Sequence, residues 1–191
     1  MSAQTTHNVF LVGPMGAGKT TIGRQVAASL GLEFLDADQE LERHTGVDVA
    51  LIFDIEGEAG FRQREQRMID ELSQRHGVLL ATGGGAVLNP VNCKRLSTRG
   101  FVLYLNTSVD LQLARLRRDK KRPLLQAPDR KQHLHAMCRD RGPLYQAIAD
   151  LTIMSDGRGV AAMARRVVAE LREQPELASL FGGRSGSRSR V

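Results

Sequence analysis

The octapeptide GPMGAGKT, residues 13–20, matches the pattern G-x-x-x-x-G-K-S/T at every fixed position. The apolar run NVFLV, residues 8–12, precedes it, and a helical pattern follows over residues 20–30. A strand that turns through glycines into a helix brings backbone N–H groups and the positive end of the helix dipole to one point. The stretch therefore predicts a loop that binds the phosphates of a nucleotide (a P-loop).

Individual residues of this loop have separate expected roles. The glycines let the backbone curl around the phosphates, Lys19 reaches the β- and γ-phosphates, and the Thr20 hydroxyl is the expected direct ligand of Mg²⁺. We therefore expect ATP and Mg²⁺ at this loop. The predicted nucleotide contacts in the loop and directly after it are Gly16, Ala17, Gly18, Lys19, Thr20 and Thr21.

Short apolar runs alternate with helical patterns along the rest of the chain. Several runs are almost continuous in apolar residues, which is typical of strands covered on both faces. The alternation predicts an α/β protein with a central five-stranded parallel sheet and helices on both sides. The predicted strands are residues 8–12, 33–36, 78–82, 101–105 and 151–154, and the predicted helices include 20–30, 58–75 and 110–118. Gly31 should end the first helix, and Asp110 should cap a later one.

Composition excludes several classes of protein. No apolar run approaches the roughly 18–20 residues of a membrane span, and the polar N-terminus MSAQTTHN does not read as a signal peptide, so we expect a cytoplasmic protein. Aromatic residues are only 4% of the chain and Trp is absent, which argues against a surface that stacks nucleic-acid bases. Cys93 and Cys138 have no metal or redox spacing and are expected to be reduced thiols.

The net charge of +6 is concentrated in two places. One is a basic run over residues 115–122, which is either a solvated helix face or a lid that faces phosphates. The other is the Gly/Ser/Arg-rich end of the chain, which alone would support only weak, salt-sensitive contact with nucleic acid. We expect residues 1–7 to be disordered, residues 8–175 to form one domain, and residues 176–191 to be a flexible basic tail.

Two acids follow the second predicted strand, in the sequence EFLDAD. Asp36 and Asp38 are two residues apart, so on an extended chain both side chains project to the same side. This suggests that Asp36 faces the metal and Asp38 faces the hydroxyl that accepts a phosphoryl group. The alternative is a pair of solvated acids at the start of the next helix.

Charged residues and a glycine run in separate segments of the sequence suggest a pocket for a small anion. Arg62 and Glu65 are three residues apart on a helix that also carries Phe61, and the run Gly83-Gly84-Gly85 follows the third strand. Arg141 lies in RGPLY, a segment that is expected to break a helical pattern, and Arg122 lies in KKRPLL. Each arginine alone is more often a surface charge, but guanidinium groups bind carboxylates well. Together these residues indicate a site for a small acid that bears hydroxyls.

The segments GPMGAGKTTIGR, FLDADQELE, FRQREQ, ATGGGAV, KKRPLL and RGPLY resemble, in order and spacing, those of the shikimate kinase family. The likeness extends over roughly residues 8–171 and implies a three-layer αβα P-loop kinase fold with a mobile lid over about residues 117–130. It implies transfer of the γ-phosphoryl group of ATP to the 3-hydroxyl of shikimate. The products would be ADP and shikimate 3-phosphate, on the route to chorismate and the aromatic amino acids.

The resemblance also implies roles for individual residues. Lys19, Asp38 and Arg122 would be catalytic, with Arg122 on the lid and Asp38 at the acceptor hydroxyl. Arg115 would lie against adenine, with Arg158 as another candidate, and Asp36 would be an outer-shell residue of the magnesium site. Contacts with shikimate would come from Asp38, Arg62, Glu65, Gly84, Gly85, Arg141, Phe53 and Phe61.

Other functions remain open at this point. A gluconate-type sugar-acid kinase would share the P-loop and a carboxylate-bearing acceptor. A nucleoside monophosphate kinase would need a second base and phosphate site, for which no segment is evident. A nucleotide switch or nucleic-acid binder without enzymatic activity would depend on the basic tail. We expect a monomer that binds shikimate and ATP and has neither a membrane nor a specific nucleic acid as partner.

Overall fold

The computed structural model describes residues 8–117 and 129–181. Five parallel strands form a single sheet in the order β2-β3-β1-β4-β5. The strands are β1 (Val9–Val12), β2 (Glu33–Asp36), β3 (Val78–Ala81), β4 (Phe101–Thr107) and β5 (Leu151–Ser155). The predicted five-stranded parallel α/β fold is confirmed.

Helices connect the strands and cover both faces of the sheet. They are α1 (Lys19–Leu30), α2 (Ala37–Thr45), α3 (Val49–Ser73), α4 (Pro90–Arg99), α5 (Val109–Leu116), α6 (Arg130–Ile148), α7 (Val160–Arg172) and α8 (Ala178–Phe181). Short 3₁₀ turns cover Ala86–Leu88 and Pro175–Leu177. As predicted, α1 stops at Gly31, which has φ 71° and donates its N–H to the carbonyl of Ala27. Among the described helices, none has the length and apolar character that a membrane crossing requires.

The central strand β1 is buried on both faces, and its alternate residues divide the core. Val9 and Leu11 pack with residues of α1 and α7. Phe10 and Val12 pack with residues of α3, α4 and α6 on the other face. This explains why β1 is uniformly apolar rather than alternating in polarity.

Three details of the helices differ from the sequence-based expectations. Ser108, not Asp110, caps α5, because its hydroxyl accepts the N–H of Leu111, while Asp110 lies in the first turn. Helix α3 begins earlier than predicted and is interrupted at Gly57, where φ 69° and ψ −178° suit only a residue without a side chain. The RGPLY segment does not break a helix, since Pro143 lies inside α6.

Burial explains why α6 continues through its proline. Leu134 and Tyr145 are its buried side chains, eleven residues or about three helical turns apart, so they lie on one face of α6. This face anchors the helix on both sides of Pro143. The loss of one backbone hydrogen bond there is therefore tolerated.

The folded domain extends beyond the predicted boundary at residue 175. Leu177 is fully buried among residues of the sheet and α7, and Leu180 and Phe181 pack against the same cluster. The start of the predicted flexible tail, residues 176–181, is therefore part of the domain, because its apolar side chains complete the core. The predicted disorder of residues 1–7, most of the predicted lid, and the remainder of the tail lie outside the described residues.

We predict that Leu177→Ala lowers the free energy of unfolding by about 2–4 kcal/mol, because it leaves a cavity in the core. Urea unfolding followed by circular dichroism measures this change. The matched control is Leu51→Ala, at a side chain that is 41% exposed, which should cost less than about 1 kcal/mol. Equal losses in the two variants would mean that the segment after α7 is not part of the core.

Candidate active site

A cleft of about 700 Å³ opens at the carboxyl ends of β1, β2 and β3. Ligand sites of open parallel sheets form at this edge, because all strands end there together. The cleft brings together fourteen of the residues predicted from the sequence: Gly16, Gly18, Lys19, Thr20, Thr21, Asp36, Asp38, Phe53, Phe61, Arg62, Glu65, Gly84, Gly85 and Arg141.

The P-loop forms one wall of the cleft. Gly13, at its start, has φ 145°, and a Cβ added there would lie 2.3 Å from the carbonyl oxygen of Leu105. No other residue fits so close to β4 without displacing it. Lys19 donates from Nζ to the carbonyls of Gly13 at 2.7 Å and Pro14 at 2.9 Å, so its ammonium group stays at the mouth of the loop.

Thr20 and Asp36 place oxygen atoms side by side next to the P-loop. The Thr20 hydroxyl donates to Oδ2 of Asp36 at 2.7 Å. Oδ1 of Asp36 accepts the N–H groups of Asp38 at 3.1 Å and Gln39 at 3.3 Å, so Asp36 caps α2. Asp38 therefore lies in the first turn of a helix, not on an extended chain as the sequence suggested. The turn still directs both acids into the cleft.

A hydroxyl and a carboxylate next to a P-loop fit a magnesium ion. Mg²⁺ prefers oxygen ligands, retains several waters and shares the phosphates of a nucleotide, so it needs few protein oxygens. Thr20 and Asp36 supply such oxygens where the helix N-terminus would meet the phosphates.

The opposite wall of the cleft contains a network of charges on α3. Arg62 donates from Nη1 to Oε2 of Glu65 at 2.7 Å, and from Nη2 to Oε1 of Glu58 at 3.1 Å. Its guanidinium carbon lies 5.2 Å from the centre of the Phe61 ring. Phe61 stacks on Phe53 with ring centres 4.4 Å apart. The wall thus combines a positioned cation with an apolar surface.

Glu65 is the most deeply buried acid of the site, with 2% of its surface exposed. Burial raises the pKa of its carboxyl, and the nearby Asp38 adds to the rise, while the charge of Arg62 opposes it. Oε1 of Glu65 accepts no hydrogen bond from the described residues. It faces Gly83, where an added Cβ would lie 2.7 Å from it and 3.1 Å from Oδ1 of Asp38. The two carboxylates thus converge on the glycine-rich turn.

Side chains of α6 and α4 donate hydrogen bonds to carbonyl groups of the glycine-rich turn after β3 and of the residue that follows it. The carbonyl of Gly84 accepts hydrogen bonds from Nη1 of Arg141 at 3.3 Å and from the hydroxyl of Tyr145. Nδ2 of the buried Asn92 donates to the carbonyl of Ala86 at 3.1 Å. Within the described residues, the N–H groups of Gly84 and Gly85 donate no backbone hydrogen bond. Both glycines line the cleft.

Two of the predicted nucleotide contacts, Ala17 and Arg115, are described by the structure but do not line the cleft. Ala17 is buried and supports the loop from within. Arg115 donates to the carbonyls of Gly16 at 2.9 Å and Ala17 at 3.0 Å and to the hydroxyl of Ser155 at 3.1 Å, so it joins the P-loop to the end of β5. Its predicted place against adenine remains a prediction, as does that of Arg158, which pairs with Asp156. Arg122 lies outside the described residues.

The sequence analysis missed several residues of the site. Glu58 precedes Arg62 by one helical turn, a spacing that could have suggested the pair. Tyr145 belongs to the quoted RGPLY segment, but the pattern gave no sign that its hydroxyl supports Gly84. No sequence pattern pointed to Asn92, because the hydrogen-bond partner of a buried asparagine is known only from the three-dimensional structure.

These features define a class of protein: a P-loop enzyme with a nucleotide cradle on one side and a compact pocket for a small polar anion on the other. The family model described as shikimate kinase matches residues 15–172. "Shikimate kinase 1" of Sodalis glossinidius is 55% identical over 163 residues, covering 84% of this chain and 94% of that protein. "Shikimate kinase" of Psychromonas ingrahamii is 54% identical over 164 residues, which cover 86% of this chain and 96% of that protein.

Solved structures agree with the sequence relatives. Shikimate kinase from Acinetobacter baumannii, solved in complex with shikimate, superposes with a TM-score of 0.85 at 47% identity, covering 88% of this chain and 94% of that one. This chain belongs to the shikimate kinase family. The predicted resemblance is confirmed, and the gluconate-type alternative receives no support.

We predict that Gly85→Ala raises the KM for the acceptor about tenfold or more, because a lost charge-assisted contact is worth about 1.5–3 kcal/mol. An added Cβ would lie 2.4 Å from both terminal nitrogens of Arg62 and would displace the guanidinium group. Steady-state kinetics with a saturating nucleotide measures the effect.

The matched control for this substitution is Gly142→Ala on α6. There an added Cβ meets nothing within 4 Å, so the acceptor KM should not change. Gly85 has φ −98°, which alanine adopts without strain. A normal KM in Gly85→Ala would therefore show that the position of Arg62 does not matter for acceptor binding.

Proposed function

We propose that this chain transfers the γ-phosphoryl group of ATP to the 3-hydroxyl of shikimate, giving ADP and shikimate 3-phosphate. The observation that carries the proposal is that Asp38, Arg62 and Arg141 line one cleft together with Lys19 of the P-loop. They come from three different helices and from distant parts of the chain. Their convergence beside a phosphate cradle suits a carboxylated alcohol held next to ATP.

The acceptor half of the cleft would bind shikimate by charge and shape. Arg62 and Arg141 would hold the carboxylate, since guanidinium groups pair with carboxylates through parallel N–H donors. The N–H groups of Gly84 and Gly85 would meet ring hydroxyls. Stacked Phe53 and Phe61 would cover the apolar part of the ring. Glu65 would hold Arg62 in place through the 2.7 Å contact between them.

The nucleotide half would bind ATP at the P-loop, with Mg²⁺ held by the Thr20 hydroxyl and, through water, by Asp36. Bound Mg²⁺ would neutralise part of the charge on the phosphates. The N–H groups of the loop and the N-terminus of α1 would orient the phosphate chain. Lys19 would exchange its carbonyl partners for the β- and γ-phosphates. Arg115 would support the loop. Adenine would lie against Arg115, near the end of β5.

Phosphoryl transfer requires mainly that the reacting groups be positioned and that negative charge be stabilised. Asp38 would accept a hydrogen bond from the 3-hydroxyl, align its oxygen with the γ-phosphorus, and receive the proton late in the transfer. Lys19 would stabilise charge on the transferring group, and Arg122 would do so from the lid. Closure of the lid would exclude water and suppress hydrolysis of ATP.

The wider setting follows from this activity. The product would feed the synthesis of chorismate and the aromatic amino acids, and we propose that the chain works as a monomer in the cytoplasm. A coupled assay of ADP release with ATP and Mg²⁺ across a panel of small acids tests the central claim. We expect turnover with shikimate and little with gluconate or a nucleoside monophosphate. Turnover with gluconate alone would overturn the assignment.

We predict that Asp38→Asn lowers kcat at least about 100-fold while ATP still binds, because a positioned acid–base group contributes about 10²–10⁴ to a rate. Asparagine keeps the shape of the side chain but cannot take up the proton. The coupled assay and ATP binding by calorimetry measure the two effects separately. Asp54→Asn, at an exposed acid of α3 outside the cleft, should leave both unchanged. Near-normal turnover of Asp38→Asn would remove this residue from the chemistry.

A further inference from the structure

Arg62 is held between two carboxylates of its own helix. Nη1 donates to Oε2 of Glu65 at 2.7 Å, while Nε and Nη2 donate to Oε1 of Glu58 at 3.3 and 3.1 Å. The two acids differ in environment: the Glu65 side chain is 2% exposed and the Glu58 side chain 65%. Arg62 therefore has one fixed partner inside the protein and one partner that water can replace.

Glu58 uses the edge of Arg62 that an incoming carboxylate would need. The Nε–Nη2 edge of a guanidinium group offers two parallel donors, the geometry of bidentate carboxylate binding. The end of the group is less accessible, since its Nη1 and Nη2 lie close against Gly85. An acceptor carboxylate that binds Arg62 through two hydrogen bonds would therefore meet Glu58 there.

Glu58 is placed so that it can leave this contact. It follows Gly57, the residue at which the helical conformation of α3 is interrupted. The Glu58 side chain is 65% exposed, so water solvates its carboxylate once it separates from Arg62, and Glu65 remains as a partner of Arg62. Release of Glu58 from Arg62 should therefore cost little and leave the fold intact.

We propose that Glu58 competes with the carboxylate of the acceptor for Arg62 and thereby lowers the affinity of the enzyme for shikimate. This inference rests on the proposed function, which supplies the identity of the acceptor. Repulsion between the negative charges of Glu58 and the acceptor carboxylate also lowers this affinity. The product keeps the same carboxylate, so Glu58 also favours its departure from Arg62.

The test replaces Glu58 with glutamine, which keeps the length of the side chain and removes its charge. Isothermal titration calorimetry should show that Glu58→Gln binds shikimate about fivefold more tightly than the unaltered chain, as expected for loss of an exposed competing ion pair. The KM for shikimate should fall in parallel. Shikimate methyl ester, which lacks the charge, should bind the two proteins within about twofold of each other.

Glu56→Gln is the matched control, on the other side of Gly57. Glu56 accepts hydrogen bonds from Arg64 at 2.7 and 2.5 Å and does not line the cleft, so this change should leave shikimate affinity unaltered. Unchanged or weaker binding in Glu58→Gln would overturn the competition and make Glu58 a support for Arg62. Failure of the unaltered chain to bind shikimate would instead overturn the proposed function.

Discussion

The parallel direction of all five strands is the constraint from which the site follows. Each connection between parallel strands returns the chain to the same end of the sheet, so the residues after β1, β2 and β3 meet at one edge. The P-loop, the two aspartates and the glycine-rich turn are these residues. None of them is near another in the sequence, and the sheet alone brings them within reach of one ligand.

The acceptor side adds a second requirement, which is to keep an arginine in place beside an apolar wall. The partner of Arg62 is Glu65, a nearly fully buried acid whose pKa is raised by burial and lowered by that arginine. Removing one member of a buried pair leaves a charge without compensation, which is costly. The pair thus fixes the guanidinium group more firmly than a surface contact could. Glycine at position 85 completes the arrangement, because it leaves space for the terminal nitrogens.

Much of this architecture could be predicted from the sequence because it depends on local patterns. Continuous apolar runs identified the strands, and the spacing of GPMGAGKT identified the phosphate loop. The failures concern tertiary contacts: Pro143 stays inside α6 because Leu134 and Tyr145 anchor the helix. Leu177 belongs to the core because α7 and the sheet leave a place for it. The support of Gly84 by Tyr145 likewise requires knowing which helix lies behind the turn.

Tyr145 belongs to two systems at once. Its ring stacks on Tyr104 in the core with centres 5.0 Å apart, while its hydroxyl holds the carbonyl of Gly84 at the cleft. Natural selection for a well-packed interior and selection for efficient turnover therefore act on the same side chain. The evolution of stability and of kinetic properties should therefore be linked at this position of α6.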